Sequence, residues 1–190
     1  MHIKSARFLK ELTGDDEILT DNVPKIAFIG RSNVGKSSLI NALTHTNISH
    51  TSPKPGSTQK INVFLINNSF YLVDLPGYGF AQGSIRGREK MGTLIASYLF
   101  NEKYTQEKVV LVIDALVGMT DRDLGMFDEL RAYPKDIVIV ASKIDRLKSS
   151  EYQKKIRAIQ ECVGEYPVFP VSSAAPKGIE ALATALFTFR

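Results

Sequence analysis

Cysteine is almost missing from this sequence: Cys162 is the only one among 190 residues. A single cysteine excludes a disulfide framework and a cysteine-based metal cluster. It falls in a predicted helix, residues 150–163, near the apolar positions Ile159 and Val163. We therefore expect a buried thiol that belongs to the core.

Long apolar runs are missing as well. A run of the greatest length, residues 109–113, ends at Asp114, far short of the roughly 20 residues that a membrane-spanning helix needs. Residues 1–10 alternate charged with apolar side chains and lack the apolar core of a signal peptide. The chain has no internal repeat, and its 44% hydrophobic and 23% charged residues are typical of a globular protein. We expect a cytoplasmic monomer with no membrane span.

The charge is modestly basic, with a formal net charge of +4. An ordinary solvated surface would account for this, but basic clusters also attract phosphate-rich partners such as RNA. Aromatic residues are not interleaved with the basic ones, so base stacking is not predicted. The two clusters are Arg86, Arg88 and Lys90, and Arg146, Lys148, Lys154, Lys155 and Arg157.

Apolar runs of strand length alternate with longer segments of helical period, which predicts βαβ units and a mostly parallel sheet. Asn67-Asn68 separates two runs and predicts a hairpin with 61–67 antiparallel. Ser150 with Gln153 fits a capping box, and Gly164 fits a helix end. The predicted strands are 25–29, 61–67, 69–74, 108–114, 137–142 and 167–171, with 3–9 as a further candidate. The predicted helices are 36–45, 87–101, 121–132, 150–163 and 178–188.

Residues 30–37, Gly-Arg-Ser-Asn-Val-Gly-Lys-Ser, match the phosphate-binding loop pattern G-x-x-x-x-G-K-S between a predicted strand and helix. In such a loop the backbone N–H groups and the helix N-terminus bind phosphate oxygens. We expect Lys36 to reach the β- and γ-phosphates and Ser37 to bind Mg²⁺. The loop alone does not distinguish ATP from GTP, or a kinase from a switch.

Residues 74–77, Asp-Leu-Pro-Gly, follow a strand at the edge where α/β folds bind ligands. Asp74 at this place can hold Mg²⁺ through water. Gly77 lets its backbone N–H approach the γ-phosphate closely. Together with Lys36, this amide and the metal would stabilise the charge on the transferred phosphoryl group.

Residues 142–145, Ser-Lys-Ile-Asp, lie at the end of another predicted strand and are the candidate motif for binding a guanine base. One carboxylate, that of Asp145, can accept both N1–H and N2–H₂ of guanine, a donor pair that adenine lacks. The stem of Lys143 would lie over the base. A backbone N–H after strand 167–171, of Ser173 or Ala174, could bind the guanine O6.

The polar loop 46–60 precedes the hairpin and could carry a threonine that coordinates Mg²⁺ only while the γ-phosphate is present. Thr58 is our choice, and Thr51 is the alternative. A surface loop without a switching role would also fit.

With these motifs in order, the chain resembles the EngB (YihA/YsxC) family within the Era-like group of P-loop GTPases. The resemblance rests on residues 30–41, on Pro-Gly-Ser-Thr-Gln at 55–59 and above all on Pro-Gly-Tyr-Gly-Phe-Ala at 76–81. It covers the chain from about residue 3 to its end. It implies a three-layer α/β G domain, residues 25–190, preceded by an N-terminal extension, residues 1–24. The expected sheet is mixed and mostly parallel, with six to seven strands and about five flanking helices.

The resemblance further implies a GTPase with Mg²⁺ that assists late assembly of the large ribosomal subunit by contacting its rRNA, and that is needed for normal cell division and septation. Ser37 and Thr58 become the metal ligands, with Asp74 acting through water. Lys36, Thr58 and Gly77 become the catalytic groups. The implied nucleotide-lining residues are Gly30, Arg31, Ser32, Asn33, Val34, Gly35, Lys36, Ser37, Ser38, Gly56, Ser57, Thr58, Gln59, Lys60, Asp74, Leu75, Pro76, Gly77, Ser142, Lys143, Ile144, Asp145, Val171, Ser172 and Ser173.

Three positions bear on how this chain would differ from other GTPases. Ser142 stands where most carry Asn, so tethering of the base-binding loop could weaken. Tyr78 stands where Ras-like switches carry the glutamine that orients water, which predicts slow intrinsic hydrolysis. Asn33 resembles the position found in potassium-activated members of the group, so K⁺ is a candidate cofactor. The rival functions are a small-molecule kinase and a non-catalytic ribosome-binding module.

Overall fold

The computed structural model describes residues 3–49, 60–79 and 85–188. Within them, strands alternate with helices after an initial strand, except at the hairpin of two consecutive strands that the sequence predicts. The strands are β1 (Ala6–Leu12), β2 (Lys25–Gly30), β3 (Ile61–Ile66), β4 (Phe70–Asp74), β5 (Lys108–Asp114), β6 (Ile137–Ser142) and β7 (Val168–Pro170). The helices are α1 (Lys36–Thr44), α2 (Ile85–Phe100), α3 (Asp121–Arg131), α4 (Ser149–Val163) and α5 (Ile179–Leu186).

The strands of the described residues form one sheet in the order β1-β3-β4-β2-β5-β6-β7. β3 pairs antiparallel with both β1 and β4, and every pairing from β4 to β7 is parallel. Asn67 and Asn68 connect β3 to β4 at φ 51° and 53°, a left-handed conformation that short polar side chains tolerate. The predicted hairpin and the antiparallel strand are therefore confirmed.

The core has two halves, one on each face of the sheet. Alternate residues of β2 point to opposite sides: Ile26 and Phe28 pack with α1 and α5, whereas Ala27 and Ile29 pack with α2, α3 and α4. This is the three-layer α/β fold that was expected. The arrangement brings the carboxyl ends of β2, β4, β5 and β6 to one edge of the sheet, where α/β folds bind their ligands.

Two local predictions were wrong. Helix α4 begins at Ser149 with Lys148 as its N-cap, and no side chain caps it, so Ser150 and Gln153 form no capping box. Cys162 is exposed, because it precedes Val163 by one residue and so lies about 100° around the helix from it. Gly164 does end this helix, at φ 64°.

The candidate strand at 3–9 is β1, which starts later than predicted and adds to the edge of the sheet beside β3. Part of the segment expected to form an N-terminal extension, residues 1–24, is thereby a strand of the sheet. Among the described residues, no helix combines the length and the apolar character needed to cross a membrane.

Candidate nucleotide-binding site

The phosphate loop connects β2 to α1 and requires glycine at two places. Gly35 is the N-cap of α1 at φ 102°, where a side chain would be strained. A Cβ at Gly30 would lie 2.5 Å from the carbonyl oxygen of Val112 on β5. The loop is thus seated on the neighbouring strand, and the N-terminus of α1 is free of a capping side chain. An uncapped helix N-terminus presents its N–H groups to an anion.

Lys36 and Asp74 form the charged centre of the site. Both side chains are buried, Lys36 in the first turn of α1 and Asp74 at the end of β4, and their charges interact. Burial lowers the pKa of the Lys36 ammonium, with the charge of Asp74 opposing the shift. Burial also raises the pKa of the Asp74 carboxyl, against the influence of Lys36 and Ser37. A phosphate and a metal ion would supply the opposite charges that these two groups need.

The oxygen atoms around Asp74 fit a magnesium ion. The Ser37 hydroxyl donates to Asp74 Oδ2 at 3.1 Å, and the Ser49 hydroxyl approaches the same atom at 3.5 Å. Asp74 Oδ1 is buried without a hydrogen-bond partner among the described residues. Hydroxyl and carboxylate oxygens beside a phosphate site are the ligands Mg²⁺ takes, directly or through water. Thr58 and its alternative, Thr51, lie outside the described residues.

The segment that follows Asp74 is packed directly onto the phosphate loop. A Cβ at Gly77 would lie 2.8 Å from the Ser32 backbone, so only glycine fits there. The N–H of Ser32 donates to the carbonyl of Tyr78 at 3.1 Å, and the N–H of Tyr78 donates to the carbonyl of Gly30 at 3.3 Å. Gly77 therefore lies beside the phosphate loop. Its N–H must be at this place if it is to donate a hydrogen bond to the γ-phosphate.

The base-binding motif is tied to the phosphate loop by two side chains. The Ser142 hydroxyl donates to the Val34 carbonyl at 2.6 Å, with the carbonyl of Ile113 at 3.0 Å. Lys143, at φ 59°, donates from Nζ to the Asn33 carbonyl at 2.6 Å and to Asp114 Oδ2 at 2.7 Å. The stem of Lys143 thus crosses the phosphate loop and can form one wall of a base site.

The orientation of Asp145 is set by a serine from the next motif. Ser172, buried after β7, donates its hydroxyl to Asp145 Oδ1 at 2.6 Å and accepts from the Ala175 N–H at 3.0 Å. Asp145 lines a cavity of about 490 Å³, within the range of nucleotide-sized sites. Its lining includes Gly35, Ser38, Ser142, Lys143, Asp145 and Ser173.

For the remaining predicted residues, the described part of the structure shows no side chain at the nucleotide site. Gly56, Ser57 and Gln59 lie outside the described residues. The Lys60 ammonium is paired with Glu11 at 2.6 Å, on the sheet edge beside β1. Leu75, Ile144 and Val171 have buried apolar side chains, so only their backbones could meet a nucleotide.

Sequence reasoning missed Asp123. This fully buried carboxylate on α3 contacts both Arg31 of the phosphate loop and Tyr78. The only local signal was the Thr-x-x-Asp pattern at residues 120–123, which forms a capping box. Its other partners are far away in the chain and have no local signature.

Comparison with known proteins agrees with this geometry. A family model described as "50S ribosome-binding GTPase" matches residues 25–143. The "Probable GTP-binding protein EngB" of Clostridium perfringens (strain SM101 / Type A) is 39% identical over 191 residues, spanning 98% of this chain and 96% of the relative. A crystal structure of "a probable GTP-binding protein engB" matches with a TM-score of 0.69 and 25% identity, over 86% of this chain and 96% of that one.

A second solved structure matches this chain about as well. The crystal structure of Era in complex with MgGDPNP and nucleotides 1506–1542 of 16S ribosomal RNA has a TM-score of 0.70 and 26% identity. It covers 86% of this chain and 55% of that one.

Proposed function

Because the chain belongs to the EngB family of GTP-binding proteins, and is therefore a P-loop GTP hydrolase, we propose that it is a cytoplasmic Mg²⁺-dependent switch that assists assembly of the large ribosomal subunit. Normal cell division and septation would depend on it through that role. The observation that carries the switch is the contact of Gly77 with Ser32. This contact supports a role for the segment after Asp74 in sensing the γ-phosphate, because it lies directly on the phosphate loop.

The nucleotide is GTP because of the base site. Asp145 is held by the Ser172 hydroxyl and lines the cavity beside the phosphate loop, and a carboxylate there can pair with the two adjacent donors of guanine. A small-molecule kinase would have no use for this pair. Mg²⁺ is supported by the unpartnered Asp74 Oδ1 beside the Ser37 hydroxyl among the described residues, and the Era structure carries MgGDPNP. The metal would neutralise charge on the β- and γ-phosphates.

Hydrolysis is expected to be slow without a partner. The Tyr78 hydroxyl donates to Asp123 at 2.7 Å, so it is engaged away from any attacking water. Potassium beside Asn33 stays a prediction. Equal turnover in sodium and potassium salts would remove it, and faster turnover in potassium would support it.

A ribosomal partner is supported by the description of the matched family model and by the rRNA in the Era complex. On this chain, the best-placed basic cluster is that of α2. Arg86, Arg88 and Lys90 are all exposed, and α2 begins shortly after the segment that contacts the phosphate loop. In the other cluster, Lys155 is bound to the Leu116 carbonyl and Arg157 to Glu161. We therefore assign rRNA contact to the first turns of α2.

The test is co-sedimentation with purified large ribosomal subunits in a non-hydrolysable GTP analogue, in GDP and without nucleotide. The analogue alone should support binding. The double variant Arg86→Glu/Lys90→Glu, one helical turn apart, should lose about 10-fold or more in affinity at moderate salt, because two phosphate contacts become repulsive. The control Lys154→Glu/Arg157→Glu carries the same charge change on α4 and should bind like the wild type. Absence of binding in every nucleotide state would overturn the ribosomal role while leaving the GTPase intact.

A further inference from the structure

A buried carboxylate joins three parts of the nucleotide site that are distant in the chain. Asp123 is fully buried on the first turn of α3. Its oxygens accept from the Arg31 Nε at 2.9 and 3.1 Å and from the Tyr78 hydroxyl at 2.7 Å. They also accept from the Thr120 N–H and hydroxyl at 3.0 and 2.7 Å. One side chain thus holds the phosphate loop, the segment after Gly77 and the start of α3.

Capping of α3 does not account for all of these contacts. The Thr120 contacts already complete the capping box. The Arg31 contact is made through Nε, and the Nη2 of that guanidinium is buried without a partner among the described residues. A buried donor without a partner, such as this Nη2, destabilises the fold. Stability alone therefore does not explain why Arg31 pairs with this carboxylate.

The contacts control where Gly77 lies. Tyr78 follows Gly77, and its backbone is held by hydrogen bonds with Ser32 and Gly30, while its ring extends to Asp123. Gly79, the next residue, accepts from the Arg122 guanidinium, which also belongs to α3. Both ends of this short segment are therefore fixed, one to the phosphate loop and the other to α3. The backbone bonds of Tyr78 and the bond of its hydroxyl to Asp123 together hold Gly77 against Ser32.

We propose that Asp123 is a positioning residue that, through Tyr78 and Arg31, holds the Gly77 amide in place for the γ-phosphate and so raises the affinity for GTP relative to GDP. This proposal rests on the GTP switch proposed above. It adds that the link from Asp123 to Tyr78 holds Gly77 in its GTP-binding position before the nucleotide arrives. Without the link, binding of the γ-phosphate must itself order residues 77–79, which lowers the apparent affinity for GTP. GDP has no γ-phosphate and needs no such order, so its affinity is unaffected.

The test uses the full chain and measures Kd for GDP and for a non-hydrolysable GTP analogue, in Mg²⁺, together with the melting temperature. Tyr78→Phe removes only the hydroxyl and should weaken analogue binding about 5- to 20-fold while GDP binding changes less than about 2-fold. Asp123→Asn should give a similar loss. The double variant should be no worse than Asp123→Asn, because both changes remove the same link. Asp128→Asn, an exposed change on the same helix, is the matched control.

The outcomes separate this idea from the proposed function. If wild-type protein discriminates the analogue from GDP but Tyr78→Phe keeps the same ratio of affinities, Asp123 has no positioning role. An increase in analogue affinity would also overturn the proposal, since the link would then favour the GDP state. A wild type that binds neither nucleotide in Mg²⁺ would instead overturn the switch itself. A fall in melting temperature with an unchanged ratio would indicate a purely structural role.

Discussion

The hydroxyl of Ser142 donates to the carbonyl of Val34 across 2.6 Å, and this contact, together with that of Lys143 with Asn33, joins the base-binding motif to the phosphate loop. The serine was expected to weaken the tether that an asparagine makes in most GTPases. In this chain the tether is present, because Ser142 ends β6 inside the sheet, where a short side chain suffices to reach Val34.

Ser142→Ala tests the tether. Removal of the hydroxyl leaves a buried carbonyl without its donor, so we expect the free energy of unfolding to fall by about 1–2 kcal/mol and GDP to bind several-fold more weakly. Chemical denaturation and titration with a fluorescent GDP would measure both. The same substitution at the exposed Ser150 should change neither. Equal GDP affinity in Ser142→Ala would show that the tether has no part in nucleotide binding.

Asp145→Asn should change the base that is recognised. The amide replaces one acceptor by a donor, which suits the C2 carbonyl of xanthine and opposes the C2 amino group of guanine. We expect GDP affinity to fall by about 100-fold or more, with xanthosine diphosphate becoming the better ligand. Ser172→Ala keeps the carboxylate but removes the hydrogen bond that orients it, and the affinity for GDP should fall only about 3- to 10-fold. Retained preference for guanine in Asp145→Asn would refute the assignment.

Gly77→Ala tests the contact with the phosphate loop. The new methyl group would lie 2.8 Å from the Ser32 backbone, so the segment must shift away from the γ-phosphate site. Single-turnover GTP hydrolysis should fall about 10-fold or more, with GDP binding nearly unchanged. Gly125→Ala on α3, where nothing lies within 4 Å of the new Cβ, is the control. It should stabilise the protein by about 0.5–1 kcal/mol and leave hydrolysis alone.

Removal of magnesium tests the metal assignment. In EDTA we expect GTP hydrolysis to fall by about 100-fold or more, because the charge on the β- and γ-phosphates is no longer neutralised. Asp74→Asn should bind GDP in EDTA much as the wild type does, but should gain little affinity when Mg²⁺ is added. Asp121→Asn, at the exposed start of α3, should respond to Mg²⁺ normally. A full magnesium response in Asp74→Asn would place the metal elsewhere.

Cys162 should react as an exposed thiol. A maleimide or disulfide reagent should label one cysteine per native chain about as fast as it does in urea, since the side chain is accessible on α4. Cys162→Ser provides the blank. Slow labelling of the native protein that becomes faster on unfolding would show that the Cys162 thiol is buried, as the sequence predicts.

The elements that could be predicted share a local cause. The strands and helices follow from apolar runs and helical period. The phosphate loop, Asp74 and Asp145 could be placed because each motif sits at the end of a buried strand. The prediction that Cys162 is buried was wrong because it relied on the neighbouring Val163. Adjacent residues of a helix do not lie on the same face.

The contacts that could not be predicted join distant parts of the chain. Asp123 meets Arg31, 92 residues earlier, and Tyr78, 45 residues earlier. Neither the spacing nor the period of a single sequence reports such a meeting, and a Thr-x-x-Asp pattern is explained locally as a helix cap. The contacts of Asp123 therefore follow from the three-dimensional fold and not from any local pattern.

The position of β2 in the sheet affects how the chain folds during synthesis. β2 carries the phosphate loop and lies between β4 and β5, both of which follow it in the chain. While a ribosome is making the protein, this apolar strand emerges first and has neither neighbour to pair with. It can pair with β4 only after residues through 74 have left the exit tunnel, and its other edge stays unpaired until residues through 114 have followed. Nascent chains arrested before that point should be prone to aggregation and unable to retain nucleotide.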